Sequence, residues 1–525
     1  MTTNKQLNTN GHQLWTRLAA IKAEKAKKAD EPTGRLINVA GVGRMVSTAY
    51  EQLRNAAEYA QDHLLAQNAI RRFFVRNLFL QNTTLVDKTI AEELVIELTQ
   101  SGYIKNNTQP IEVIDRLGEI IQRHYGNYRR LKASGVIEKT AQDWTLDLLS
   151  IESEKILFED DIQSAYVQFA YRHYQTVLHK KSFIFSANDE ANFEASIYMA
   201  VHRSLFKSDI TVVRADMQQL YNMSDENIND YANFHRNIDE IFSSDMTNKI
   251  TRYINKYGAP LRVLRSMVQN NDRVSELLPE SDKFEHAYFI QIKEEYRASK
   301  AKLNKGLIKS IVFLLITKTL IGVAIEVPFD IATTGMVLML PLTVNLLTPV
   351  VYLVILRLGF KLPGDTNSKA MQVYINDTLY GEHNQVDLYP AVKDKSYPIG
   401  FTIAYALMFI VVFGFVSNML ARLGFSIVQG LIFFIFLAFA SFLGLRLLRI
   451  VQDLELVTTR LGTISTIREF LFMPFTFLGK WLSDKYQKIN IVALILDTLI
   501  ELPLKTVLRL VRQWTGFIDE KKEEI

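Results

Sequence analysis

Lys318 stands inside an apolar run, Leu307–Val327, that is interrupted only by Lys309, Ser310, Thr317, Lys318, Thr319 and Glu326. An ammonium at bilayer depth costs at least about 2.5 kcal/mol, so such a lysine needs an acidic partner or a water-filled cavity. The candidate partners are Glu326, about two turns on and roughly 80° round a helix, Asp330, and Asn345 in the next apolar run. Two chemistries fit an ammonium among such groups. It can be a fixed counter-charge that glues helices together, or it can bind and release a proton as a cavity opens. Asn418 and Gln429, near a later turn, are read as interhelical hydrogen bonders.

Other chemistry is scarce. The chain has no cysteine, which excludes disulfides, thiolate nucleophiles and Cys-ligated metals. No G-x-x-x-x-G-K-[ST], G-x-S-x-G, H-E-x-x-H or EF-hand loop is present. Gly41-Val42-Gly43 has Val46 where a dinucleotide fingerprint needs its third glycine, so it is read as a turn. His173 and His179 fall on different faces of one aromatic-rich helix and make poor metal ligands. No enzyme, cofactor or metal is expected. Arg71, Arg72, Phe73, Phe74 and Arg76 mix basic and aromatic residues, but a helix with one apolar and one solvated face accounts for them. With Lys+Arg 60 against Asp+Glu 56, no charge excess points to nucleic acid.

The elements that must position Lys318 are membrane spans. Of 525 residues 48% are hydrophobic, and they concentrate in four stretches: Leu307–Val327, Ile331–Leu356, Ile399–Leu420 and Phe425–Leu445. Each is long enough for a hydrocarbon core of about 30 Å. The second carries Pro341, Asn345 and Pro349, which a spanning helix holds only if neighbours satisfy the freed carbonyls. Arg297, Lys300, Lys302, Lys305 and Lys309 precede the first stretch, Arg357 and Lys361 follow the second, and Arg446 and Arg449 follow the fourth. The connection Glu326–Ala332 has no basic residue and the Leu420–Phe425 turn has only Arg422. This bias places both termini and the 361–398 loop in the cytoplasm. Without an apolar core in Met1–Leu18 no cleavable signal is expected, and the lipid bilayer is that of an inner (plasma) membrane.

The fold class is therefore all-α, a polytopic membrane protein with four transmembrane helices and a large N-terminal cytoplasmic helical domain. Residues 1–34 read as a flexible basic tail and 35–280 as the helical domain. A stalk helix occupies 281–306, opened by a capping box of Asp282 and Glu285. The four-helix membrane domain spans 307–449 with its cytoplasmic loop 361–398. From Arg44 a 4-3 spacing of apolar residues predicts a long packed helix, and Ile210–Val213 is the one tempting β run. Residues 450–525 read as amphipathic or interfacial helices. Pro503 kinks or divides the last one, and Phe470–Leu482 is interfacial or re-entrant.

Two segments resemble a known family. Glu295-Tyr296-Arg297-Ala298-Ser299-Lys300-Ala301-Lys302, an apolar run, then Thr317-Lys318 and an acid eight positions on resemble the entry to the first span of the cyanobacterial proton extrusion protein and chloroplast envelope membrane protein family. Ile495-Leu496-Asp497-Thr498-Leu499, followed by Lys505, is similar to its closing segment, where an Asp-Thr pair precedes a lysine. The resemblance covers about 60 residues and implies proton or cation exchange, with Lys318, Glu326 and Asp497 as the positions carried over. Here, however, the second span follows after a shorter linker, and Glu501 stands nearer the place where the family has its lysine.

The expected function is assistance to proton-coupled cation movement, with Lys318, Glu326, Asp330, Asn345, Asp497 and Glu501 as pathway residues. Four spans rarely enclose a pathway, so a homo-oligomer is expected. The alternative is a non-transporting membrane anchor whose helical domain recruits a cytoplasmic protein partner.

Overall fold

The computed structural model describes residues 5–30, 34–39, 65–80, 88–158, 161–178, 187–360, 362–381, 399–457 and 472–481, with positions 44, 45, 47, 48, 51, 180, 183, 510 and 514. Among these the chain is helical, and the only β pairing is an isolated bridge between Leu36 and Pro110. Two compact units form, one from 13–254 with 490–525 and one from 1–12 with 255–489.

In the first unit, helices α1 (Thr9–Asp30), α2 (Leu65–Phe74), α3 (Lys88–Gln100), α4 (Glu112–Ala133) and α5 (Glu138–Phe158) are followed by α6 (Asp161–Val177), α7 (Ala187–Val201), α8 (Ile210–Leu220) and α9 (Ile228–Ser243). α5 is buried on two faces. Leu146, Leu149 and Leu157 pack with Ile70, Phe73 and Leu117, while Trp144, Leu148 and Ile151 pack with Tyr128, Val212 and Tyr231. Asp147 of α5 is buried and accepts from Arg214 Nε at 3.0 Å and Thr211 Oγ1 at 3.3 Å, with Arg71 on its other side. Arg72 pairs with Glu51 and Arg76 with Glu97, so the basic and aromatic residues of α2 and the turn after it are spent inside the domain. Ile210–Val213 is helical rather than extended, because Asp209 caps the helix and accepts from Val212 N. Burial pushes His235 of α9 well below the ordinary histidine value.

The N-terminus is more ordered than a flexible tail. Leu14, Leu18 and Ile21 of α1 are buried. Asn8 donates to the carbonyls of Thr378 at 3.0 Å and Gly381 at 3.1 Å, satisfying groups that a helix C-terminus leaves unpaired.

The second unit holds α11 (Ala259–Asn270), α12 (Ser281–Ile321), α13 (Val327–Thr334), α14 (Met339–Leu358), α15 (Asp365–Tyr380), α16 (Ile399–Arg422), α17 (Ile427–Gln452) and α18 over 472–481; α10 (Asp245–Tyr257) precedes it across the division. The stalk runs into the first apolar stretch without interruption, and with α13 it makes one 54-residue helix, Ser281–Thr334. Its N-cap is Glu280 with no side-chain cap bond, so the capping box at Asp282 is not formed. Among the described residues, four helices are long and apolar enough to cross a membrane.

Two boundaries differ from the sequence reading. The first hairpin turns at Gly335, whose φ of 75° ends α13, so Asp330 and Ile331 belong to the first long helix. Pro328 stays inside it because the π-helical turn Gly322–Glu326 immediately precedes it; such a bulge re-spaces the carbonyls of the turn where proline has no N–H. The 361–398 loop contains α15, held by Asn367, which donates to Leu454 O at 2.8 Å and accepts from Leu456 N at 2.7 Å. In the described part of 470–482, α18 lies against α17: a Cβ on Gly479 would come within 2.6 Å of Phe442 N. Glycine is what permits that backbone approach.

Candidate functional site

The buried apolar layer of the four apolar helices is built from Leu314, Leu353, Phe433, Phe436 and Leu437 with Phe475 of α18. Their outward faces carry Ile316, Leu320, Val351, Ile410 and Phe415, all largely exposed. Within this interior lies one continuous polar network.

Lys318 Nζ donates to Glu326 Oε1 at 2.6 Å. Both are products of one long helix, and the π-turn that ends at Glu326 offsets the facing of the two residues from the spacing of a regular helix. The other carboxylate oxygen of Glu326 accepts from Asn345 Nδ2 at 2.9 Å, and the same amide lies 3.3 Å from the carbonyl of Gln429. Gln429 Nε2 in turn donates to both oxygens of Asp330, at 3.0 and 2.9 Å. Asp330 also accepts from Leu338 N at 3.3 Å, across the Gly335 turn. Lys318 is 2% exposed, Asp330 1%, and Glu326, Asn345 and Gln429 0%. The ammonium also sits 4.7 Å from the centroid of the Phe436 ring, close enough for a cation–π contact.

The network follows the helices from the depth of Lys318 toward the first hairpin turn. Twelve residues separate Lys318 from Asp330, about 18 Å of helix. On the other side of Phe436 stands a second buried polar contact, in which Ser441 donates to Tyr352 Oη at 2.8 Å.

Charge decides what this arrangement can do. Lys318 is spent on Glu326, and among the described residues the partners of Asp330 are an amide and a backbone N–H, which carry no formal charge. With all three groups ionised, two carboxylates face one ammonium, leaving a net charge of one negative. A buried unpaired charge is costly, and in proteins such a group neutralises by taking up a proton or gains a counter-ion.

Four sequence candidates, Lys318, Glu326, Asp330 and Asn345, thus meet. Asn345 lies in the half of α14 nearer the turn. Asp497 and Glu501 lie outside the described residues, as do His179 and Gly41-Val42-Gly43. Asn418 is exposed and takes no part. Gln429 is an interhelical hydrogen bonder, as its sequence position predicts, and its side chain does two jobs, since Oε1 accepts from Ser426 N to complete a capping box while Nε2 binds Asp330. Ser426 three residues before Gln429 at the start of an apolar helix is the sequence signal for the first of these jobs. No group of three or more His, Cys, Asp or Glu residues is placed to hold a metal ion among the described residues.

Comparison with protein families, characterised proteins and solved structures finds no match to this chain.

Proposed function

We propose that the chain is an integral membrane protein that assists proton-coupled cation movement, with Asp330 as the carboxyl that gains and loses the proton. Lys318–Glu326 is then the fixed pair that holds the first long helix in register, and Asn345 and Gln429 tie that pair to Asp330. The observation that carries this reading is the surplus, among the described residues, of one buried carboxylate over the single ammonium. The four apolar helices supply the barrier across which such a charge is useful. In this reading the protein sits in the inner (plasma) membrane with both termini and α15 in the cytoplasm, and it works as a homo-oligomer.

The test is proton flux into vesicles containing the purified full-length protein. Asp330→Asn should lower the flux at least tenfold, while the variant elutes and melts like the parent. Unchanged flux removes Asp330 from the mechanism. A parent protein that moves neither protons nor cations leaves the network as helix glue and favours the anchored scaffold.

A further inference from the structure

The outside of the second unit carries unpaired charge at one level. Leu303 of α12 packs with Leu447 and Val451 of α17 and with Phe360, just past the end of α14. A Cβ on Gly306 would meet Leu447 at 2.8 Å, and Arg357, in the last turn of α14, donates to Asn304 Oδ1 at 2.9 Å. These contacts bring parts of three helices together, and Lys302, Lys305, Lys309, Arg357 and Arg449 stand around them. All but the half-buried Arg357 are exposed, and among the described residues none of them has a carboxylate within ion-pair distance. The hairpin turns at the opposite ends of these helices have no basic residue but Arg422. The lysines also continue an apolar stripe. At 3.6 residues per turn, Lys302, Lys305 and Lys309, then Phe313, Ile316 and Leu320, fall within an arc of about 80° on the uninterrupted helix α12. All six are exposed. One outward stripe is therefore cationic over about 10 Å of helix and apolar beyond it.

We propose that this cationic collar binds anionic phospholipid, selecting headgroups of net negative charge over zwitterionic ones. The proposal rests on the membrane reading given above and not on the proton of Asp330. What covers the stripe must join a negative group to apolar chains within about 10 Å, which a phospholipid does and a free phosphate does not. The exposed apolar faces of Val351, Ile410 and Phe415 on the neighbouring helices call for a cover all round the bundle, as lipid gives, rather than for one acidic peptide. The lengths agree, since a headgroup layer is about 5–8 Å deep. Lys302, Lys305 and Lys309 reach through it, and Phe313 begins the hydrocarbon. Lysine stems lie along apolar surface and lift their amines to the phosphates. A zwitterionic headgroup neutralises its own phosphate, so only a lipid of net negative charge supplies the counter-charge that these cations lack. A lysine at such a surface is worth about fivefold in binding.

The experiment places a reporter beside the collar. The chain has no cysteine, so Val312→Cys, exposed just past Lys309, and Phe415→Cys, exposed in the half of α16 nearer its hairpin turn, can each carry one fluorophore in the full-length protein in phosphatidylcholine vesicles. Brominated phosphatidylglycerol and brominated phosphatidylcholine are titrated in as quenchers. At position 312 phosphatidylglycerol should half-quench at a mole fraction about fivefold lower than phosphatidylcholine, and at position 415 the two should be equal. Lys302→Gln/Lys305→Gln/Lys309→Gln should abolish the preference, and Lys302→Arg/Lys305→Arg/Lys309→Arg should keep it. Equal quenching at position 312 overturns the collar. A preference of the same size at both positions, or one that the arginine variant loses, overturns it as well. So does a preference that millimolar inorganic phosphate removes at constant ionic strength, because the lysines are then a free-phosphate site. No quenching by either lipid at either position removes the membrane reading and the collar with it. A preference that persists in a protein moving no protons keeps the collar and overturns only the role given to Asp330.

Discussion

Removing one member of the Lys318–Glu326 pair should be far more damaging than removing both. Lys318→Met leaves Glu326, 0% exposed, with the Asn345 amide as its one remaining side-chain donor among the described residues. Glu326→Met leaves an ammonium that is 2% exposed facing the Phe436 ring. Breaking a buried ion pair from one side typically costs about 3–5 kcal/mol, while replacing both partners by apolar groups of similar size is often neutral. The double variant Lys318→Met/Glu326→Met should therefore lie within about 1–2 kcal/mol of the parent. A coupling of roughly 3 kcal/mol or more then separates it from the sum of the single changes. The assay is reversible unfolding of the purified protein in mixed micelles, titrated with a denaturing detergent. Additivity within about 0.5 kcal/mol, the behaviour of independent sites, would refute the claim that the two groups share one buried interaction.

Three further outcomes follow from the same structure. His235 is held neutral by burial, with Arg214 and His124 adding to the effect. Its folded pKa thus lies below its unfolded one, so the unfolded chain binds more protons as pH falls. Its contribution should be constant above about pH 6.5 and decline on acidification below it. Hydrogen exchange of α9 across that window should reveal the slope, and His235→Phe, packed among Trp144, Tyr231 and Phe234, should flatten it. Because the chain has no cysteine, Met336→Cys at the hairpin turn and Lys302→Cys on the stalk can be labelled with a membrane-impermeant maleimide in sealed vesicles. The proposed topology puts them on opposite sides, and labelling from one side would contradict it. Gly479→Ala should cost about 1–3 kcal/mol, as overpacking does, because its Cβ meets backbone at 2.6 Å. Gly444→Ala meets the mobile end of Leu356 and should cost less in the same detergent titration.

Periodicity alone made much of this architecture legible. Four apolar stretches in two hairpins, a stalk continuous with the first apolar stretch and a helical N-terminal region all follow from where the apolar residues fall. The turn of the first hairpin was misplaced because Pro328 and Asp330 look like loop residues. Their place in a helix depends on a π-turn, which has no composition signature. Lys318 was conspicuous because a lysine in an apolar run has few explanations. Gln429 reads from the sequence as an interhelical hydrogen bonder, and the capping box with Ser426 gives it a local partner as well. Its second bond, to Asp330 ninety-nine residues earlier in the chain, exists only once the two hairpins pack. The spent arginines of α2 have the same lesson: Asp147 and Glu51 are their partners only in the folded domain.

Infrared difference spectroscopy of the reconstituted protein, titrated across pH, tests the central claim most directly. A buried carboxyl that takes up a proton gives a carbonyl band distinct from those of solvated carboxylates. The account predicts one such titrating band, absent in Asp330→Asn and retained in Lys318→Met/Glu326→Met. A band that survives Asp330→Asn unchanged, or none at any pH in a protein that still carries protons, would contradict it.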